Sequence, residues 1–162
     1  MTIDDIPGDG RSETAVQRAD RNWNDIMQEL RAVQTGTQII TGFLLAVAFQ
    51  PKFDTLDDYE VTLYLVLMVL AGFATLLGLA PVIMHRQLFG RQQKRRLVRT
   101  ANRLLLILLV VVSLLAAGVV SLVFDVVMGR IAGFIALATA GTILIVFWIV
   151  VPRLGRRDAE LP

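Results

Sequence analysis

The sequence predicts an all-α membrane protein, in which four transmembrane helices form an antiparallel bundle behind a cytoplasmic amphipathic helix. Two observations carry this prediction. The chain of 162 residues is 55% hydrophobic and its mean hydropathy is +0.62, which is too apolar for the surface of a water-soluble domain. The apolar residues are also concentrated in uncharged stretches of about 20 residues, the length of a helix that crosses a hydrocarbon core of about 30 Å.

The segment before the first hydrophobic stretch has two parts. Residues 1–14 are mostly polar and lack the apolar core of a signal peptide, so we expect a disordered tail. In residues 15–31, apolar side chains recur at the spacing of one helix face, which predicts an amphipathic helix that begins at the capping-box sequence TAVQ. This apolar stripe consists of Val16, Trp23, Ile26, Met27, Leu30 and Val33. Two placements stay open, since the helix could lie among lipid headgroups or project into the cytosol to pack on a partner.

Four stretches are predicted to cross the membrane. Residues 61–84, 104–124 and 131–151 contain no charged side chain and are long enough as helices. Residues 32–49 are a weaker candidate because Gln and Thr side chains occupy their first half. Their second half, GFLLAVAF, is apolar, and an even number of spans keeps the basic segments on one side. A single membrane domain over 15–152 follows, with a cytoplasmic tail at 153–162.

The distribution of positive charge predicts the topology. Of the 16 Lys and Arg residues, only Lys52 and Arg130 fall on one side of four alternating spans; the rest fall in the N-terminal segment, the basic loop 86–103 and the C-terminal tail. Loops rich in Lys and Arg stay on the cytoplasmic side. We therefore expect a multi-pass protein of a bacterial cytoplasmic (inner) membrane, with both termini in the cytoplasm.

The basic loop 86–103 is interpreted mainly as this topology signal. Contact with anionic lipid headgroups of the bilayer is a second role, because each basic residue near such a surface contributes about 1 kcal/mol. Nucleic acid is not an expected partner, since Phe89 is the sole aromatic residue of the run and no nucleic-acid-binding fold is recognisable.

Polar residues are predicted to gather at the cytoplasmic end of the helices. A hydrogen-bonded knot that locks the bundle is the favoured interpretation, and a ligand or proton site is the alternative. The group consists of Glu29, Arg31, Gln34, Gln38, His85, Arg86 and Asn102.

Small residues recur every four positions in the last two spans, as in membrane helices that pack closely. They are Ser113, Ala117 and Ser121 in the third span and Ala132, Ala136 and Ala140 in the fourth. The short link DVVMGR between these spans predicts a helical hairpin. Leu108 lies on the face opposite Ala117, so we expect it to face lipid. General enrichment of small residues in membrane helices is the other explanation.

Catalytic, metal and cofactor sites are not predicted. The sequence has one His and no Cys, and it lacks GxSxG, HExxH and phosphate-loop motifs. The acidic residues in TLDDYE lack the spacing of a calcium loop and are interpreted as the cap of the second span's helix.

Four short sequences give the chain a family resemblance: QELR at 28–31, QTGTQ at 34–38, APVIMHR at 80–86 and ANR at 101–103. Through them residues 15–152 resemble small four-span bacterial membrane proteins of unknown function, some of which are labelled sodium:proton antiporters. An antiporter usually needs an ionisable group near the membrane midplane, and the predicted spans contain none. We therefore expect a non-enzymatic structural or accessory subunit that packs with itself or with a membrane-protein partner. The alternative is a small cation or proton transporter that uses the cytoplasmic polar group.

Overall fold

The computed structural model describes residues 14–88, 94–150 and 153, and within these ranges the chain is helical, without strands. The all-α prediction is confirmed at this level. The elements are α1 (Ala15–Val47), a 3₁₀ turn (Pro51–Thr55), α2 (Asp58–Leu88), α3 (Lys94–Met128), α4 (Arg130–Ile145) and a π-helical segment (Val146–Val150).

Within the described ranges, three helices are long and apolar enough to cross a membrane. The qualifying segments are Asp58–Met84, Leu97–Met128 and Arg130–Val150, which agree with the three strongest predicted spans. α1 does not meet the same criterion, because its polar residues lower its hydropathy.

α3 is longer than its predicted span of 104–124 at both ends. Its first turns contain most of the basic residues that were predicted to lie in a loop, from Lys94 to Arg103. Its last turn contains Asp125, which was predicted to lie in a link. Residues 89–93 of the basic loop lie outside the described residues.

α1 begins where the sequence predicts. The Thr14 hydroxyl accepts a hydrogen bond from the Gln17 backbone N–H at 3.3 Å, and the Gln17 side chain accepts one from the Thr14 N–H at 2.8 Å. This capping box satisfies two of the N–H groups that a helix leaves unpaired at its start. The helix then continues for 33 residues, about 50 Å at roughly 1.5 Å per residue. The predicted amphipathic helix and the predicted first span are therefore one helix.

The apolar stripe of α1 packs inside the molecule from Trp23 to Val33, and the Val16 side chain lies outside the described part. Ile26 and Leu30 share one buried cluster with Ala101 and Leu105 of α3, and Trp23 packs against it. The stripe continues at alternating steps of three and four residues, the heptad spacing of helices that pack side by side. The chain's own α3 covers these side chains, so neither lipid headgroups nor a partner protein is needed to explain the apolar stripe.

α3 is the central helix, since it packs against α1, α2 and α4. This position explains why the expectation for Leu108 is wrong: Leu108 is only 1% exposed and belongs to the cluster that contains Ile26 and Leu30. Leu108 and Ala117 do point to opposite faces. Both faces are covered, because Leu108 lies in a cluster with residues of α1 and α2 and Ala117 is itself only 6% exposed.

α4 has the fewest neighbours. A single residue, Gly129, joins it to α3, with a φ of 92° that non-glycine residues rarely adopt. Its N–H donates to the Asp125 carbonyl at 2.7 Å. Along its length α4 packs on α3, and only 6% of its most apolar 18-residue stretch is buried, against 33% for α3. α4 therefore leaves most of its surface open.

Candidate functional site

The polar residues predicted to gather at the cytoplasmic end differ in exposure. Gln34 is half-buried and His85 lies in α2 with its side chain outside the described part. The others are exposed: Glu29, Arg31, Gln38, Arg86 and Asn102. No hydrogen bond or ion pair joins two members of the group among the side chains that the structure describes. The polar knot therefore stays a prediction.

Gln34 lies deeper in the bundle than the sequence suggested. A Cβ added to Gly78 would come within 2.8 Å of Gln34 Nε2, so a glycine at this position lets the amide rest directly on α2. Gly78 precedes His85 by seven residues, which is about 10 Å along a helix. The predicted group is therefore spread along the helices.

Two contacts between α1 and α2 bracket Gln38. On the N-terminal side of Gln38, Gln34 of α1 contacts Gly78 of α2. On its C-terminal side, the Tyr64 hydroxyl of α2 donates to the Leu44 carbonyl of α1 at 2.9 Å. Gly78 and Tyr64 lie on either side of the midpoint of the apolar segment Asp58–Met84. The backbone of Gln38 is therefore close to the middle depth of that segment, and its side chain is exposed.

The hydroxyl groups near Gln38 are satisfied by their own helix. Thr35 donates to the Arg31 carbonyl at 2.9 Å and Thr41 donates to the Thr37 carbonyl at 2.7 Å. Gln38 has no hydrogen-bond partner within the ranges that the structure describes. Its amide is thus exposed and without a hydrogen-bond partner in the described ranges, close to the middle depth of the apolar segment of α2.

The small residues predicted to pack α3 against α4 occupy two environments. Ala117 and Ser121 are buried, whereas the others are half-buried: Ser113, Ala132, Ala136 and Ala140. Ser113, Ala117 and Ala140 border an open groove of about 460 Å³ between α1, α3 and α4.

The tightest described contact between α3 and α4 lies near the Gly129 turn. The Ser121 hydroxyl donates to the Gly133 carbonyl at 3.0 Å. A Cβ on Gly133 would lie 2.8 Å from the Cβ of Asp125 and 3.1 Å from the Ser121 carbonyl oxygen. Gly133, which lies beside the predicted Ala132, Ala136 and Ala140 stripe, therefore permits the close approach.

A charged cluster at the same end joins three helices, and we call it the Arg130 cluster. It consists of Asp57, Tyr59, Asp125 and Arg130. The Arg130 guanidinium donates to Asp57, and its carbon lies 3.7 Å from the centre of the Tyr59 ring. Its Nε lies 3.2 Å from Asp125 Oδ2, an ionic contact whose angle is too poor for a hydrogen bond. The start of α2, the end of α3 and the start of α4 thus meet at one cation.

Asp57 is also the cap of α2, as the sequence predicts. Its Oδ1 accepts from the Glu60 backbone N–H at 2.9 Å, and the Glu60 side chain accepts from the Asp57 N–H at 2.8 Å. The pKa of Asp57 is held below its usual range, mainly by the Glu60 N–H and further by Arg130, while partial desolvation opposes both. The carboxylate that caps α2 is therefore kept charged.

Asp125 is the residue of this cluster that sequence reasoning missed. It is only 4% exposed, although it was assigned to a link because the uncharged run ends at Phe124. A signal did exist: Asp125 precedes Gly129 by four residues and Arg130 by five, so an acid and a base flank a glycine that can end a helix.

The Arg130 cluster is arranged to hold helix ends together. Both carboxylates face a cation that is also stacked on an aromatic ring, so each of them has a charged partner within the cluster. No group of three or more metal-ligating side chains occurs in the part of the chain that the structure describes. Tyr59 also contacts Phe134 of α4, with ring centres 6.0 Å apart, which adds an apolar contact to the same junction.

No curated protein and no solved structure matches the chain. A family model does match, over residues 12–152, which covers the four helices and the Arg130 cluster. The chain therefore belongs to the family of unknown function DUF6328.

Proposed function

We propose that the protein is a non-enzymatic integral membrane protein of a bacterial cytoplasmic membrane, whose function is to associate through the outer face of α1. In this proposal α1 is the fourth span, the four spans form an antiparallel bundle, and both termini are cytoplasmic. The partner on α1 is a second copy of this chain, and the dimer is a structural unit or an accessory subunit.

The exposed amide of Gln38 is the observation that carries the proposal. Gln38 lies between the α1 contacts with Gly78 and with Tyr64 of α2, so its backbone is near the middle of the bilayer if α2 crosses a membrane. A polar group in hydrocarbon without a hydrogen-bond partner is costly, and membrane helices satisfy such groups by associating. An exposed Gln38 therefore favours a contact that covers it.

A second copy suits this face because the contact is self-complementary. An amide both donates and accepts hydrogen bonds, so Gln38 can pair with its own equivalent across a two-fold axis. A Cβ added to Gly42, one turn after Gln38 on the same face, would meet no atom within 4 Å, so the backbone is open there. Glycines at a helix surface let a second helix approach closely in lipid.

The charge distribution supports the proposed topology. Fourteen of the 16 Lys and Arg residues lie in segments that four spans place on one side, as the positive-inside pattern requires. In this arrangement the basic residues 86–103 lie at the cytoplasmic surface, where anionic lipid headgroups are their partners. The proposal includes no nucleic-acid partner and no cofactor.

Counting subunits in a bilayer tests this function. The wild-type chain, Gln38→Leu and Gln28→Leu are reconstituted at low density, and their monomer–dimer equilibria are measured by single-molecule photobleaching. We expect Gln38→Leu to weaken the dimer by roughly threefold to thirtyfold, since interhelical hydrogen bonds contribute about 0.6–2 kcal/mol. Gln28→Leu is the matched control, because it removes an exposed amide of the same helix before the proposed span. A monomeric wild type, or an equal effect of both variants, would contradict the proposal.

A cation or proton transporter is the second candidate, and Asp125 is the observation in its favour. This carboxylate is buried within an apolar segment long enough to span a membrane, and such groups often mark ion pathways. Asp125 lies one turn from the end of α3 and contacts Arg130, which favours a structural role. Liposomes with an imposed proton gradient separate the two: the structural role predicts no flux on addition of sodium or potassium, whereas flux abolished by Asp125→Asn would establish transport.

A further inference from the structure

An apolar crevice of about 480 Å³ lies at the end of the molecule that carries the Arg130 cluster. Its walls are the last turns of α1, the Pro51–Thr55 turn and the C-terminal part of α3. All of its lining residues are apolar except Gln50 and Lys52. The volume lies within the range of about 300–1,000 Å³ of small-molecule sites.

The crevice has a buried back and an exposed lip. Leu44 and Leu122 are 3% and 5% exposed and form its back, whereas Phe43 and Val123 are 71% and 53% exposed and form its lip. Its α3 wall runs from 119 to 127, about 12 Å at roughly 1.5 Å per residue. Phe43 and Val123 would meet lipid at this lip if α1 and α3 cross a membrane.

The two polar lining residues lie together at one end. Gln50 precedes the 3₁₀ turn and Lys52 lies within it, and both side chains are exposed. Lys52 forms no ion pair within the part of the chain that the structure describes. The crevice therefore has an apolar body and a cationic, hydrogen-bonding rim.

We propose that this crevice binds one acyl chain of a membrane phospholipid, with the lipid phosphate held by the Lys52 ammonium group and the Gln50 amide. The charge of Lys52 complements the phosphate, and the apolar walls match the chain. An apolar helix offers no negative group to Lys52, whereas a phospholipid supplies both an apolar chain and a phosphate. The proposal requires the helices to lie in a membrane but not the dimer contact at Gln38.

Native mass spectrometry of protein released from phosphatidylglycerol nanodiscs tests the site. Wild type and Lys52→Arg are expected to retain one tightly bound phosphatidylglycerol. Lys52→Ala should reduce its occupancy about fivefold, the fold-change of one basic residue that contributes ~1 kcal/mol at a membrane surface.

A second pair of variants tests the apolar body. Val123→Trp places a bulky side chain across the lip and should abolish retention, whereas Val66→Trp, at an exposed position of α2 that does not line the crevice, should leave it unchanged. Melting temperatures in the same detergent identify folded variants. Unchanged retention in both Lys52→Ala and Val123→Trp would overturn the proposal. So would a change from dimer to monomer in Val123→Trp with the lipid retained, because the crevice would then be a protein contact.

Discussion

Replacing Gly133 with alanine should separate α4 from α3 at their tightest contact. The added methyl group would lie 2.8 Å from the Asp125 Cβ and 3.1 Å from the Ser121 carbonyl oxygen. Neither atom is the far end of a flexible side chain, so the helices themselves must shift. The shift would lengthen the hydrogen bond from the Ser121 hydroxyl to the Gly133 carbonyl, now 3.0 Å, and would move Arg130 away from its partners.

The magnitude follows from two opposing effects. Alanine is favoured over glycine in a helix interior by about 1 kcal/mol, while an extra methyl group in a packed contact costs about 1–3 kcal/mol. Gly141→Ala is the matched control, because it lies on the same helix and its added Cβ would meet no atom within 4 Å. The two variants should therefore differ in unfolding free energy by about 1–3 kcal/mol, with Gly133→Ala the less stable.

Reversible unfolding in detergent, followed by circular dichroism, measures this difference. Gly141→Ala should melt at or above the temperature of the wild type, and Gly133→Ala should melt below Gly141→Ala. Equal melting temperatures for the two variants would refute the close contact of α3 and α4 at Gly133.

Three further predictions address the core and the Arg130 cluster. Leu108→Ala should destabilise the protein by about 2–5 kcal/mol in the same unfolding assay, because Leu108 is almost fully buried. A decrease in unfolding free energy below about 1 kcal/mol would indicate that Leu108 faces lipid. Arg130→Leu should lower the melting temperature more than Asp125→Asn, since it leaves a buried carboxylate without its cation; the reverse order would contradict the ion pair. The pKa of Asp57 is lowered in the folded state. The ionised carboxylate therefore stabilises the fold above the ordinary aspartate pKa of about 4, and this stabilisation is lost as the pH falls through the lowered value. Asp57→Asn should remove this acid-dependent loss, so a melting profile in acid identical to that of the wild type would show that Asp57 does not cause it.

The features that could be predicted from sequence are those set by local pattern. The three strongly apolar spans follow from uncharged length, and both capping boxes follow from residues three positions apart, at Thr14 and Asp57. The Trp23 stripe was correctly predicted as one face of a helix, but the pattern does not say which surface covers it. That choice depends on α3 extending past its uncharged core.

The features that were missed depend on relative depth and on helix ends. A run of uncharged residues ends at Phe124, but α3 continues because backbone hydrogen bonds do not depend on side-chain charge; Asp125 is therefore buried against Arg130. The depth of Gln38 depends on how α1 crosses α2, which only the contacts at Gly78 and Leu44 reveal. The pairing of distant helices cannot be read from the spacing within one of them.

Cysteine cross-linking in membranes tests most directly whether the Gln38 face of α1 is a contact between two copies. The chain contains no cysteine, so Leu45→Cys and Val69→Cys can each be introduced as a single thiol while the Gln38 amide stays in place. Leu45 is 50% exposed and follows Gln38 by seven residues, two turns along the same face of the helix. Val69 is the control because it is 74% exposed near the midpoint of α2. With a membrane-permeant oxidant, we expect covalent dimers of Leu45→Cys and little cross-linking of Val69→Cys. Equal cross-linking at the two positions, or none at Leu45→Cys, would contradict a contact at this face.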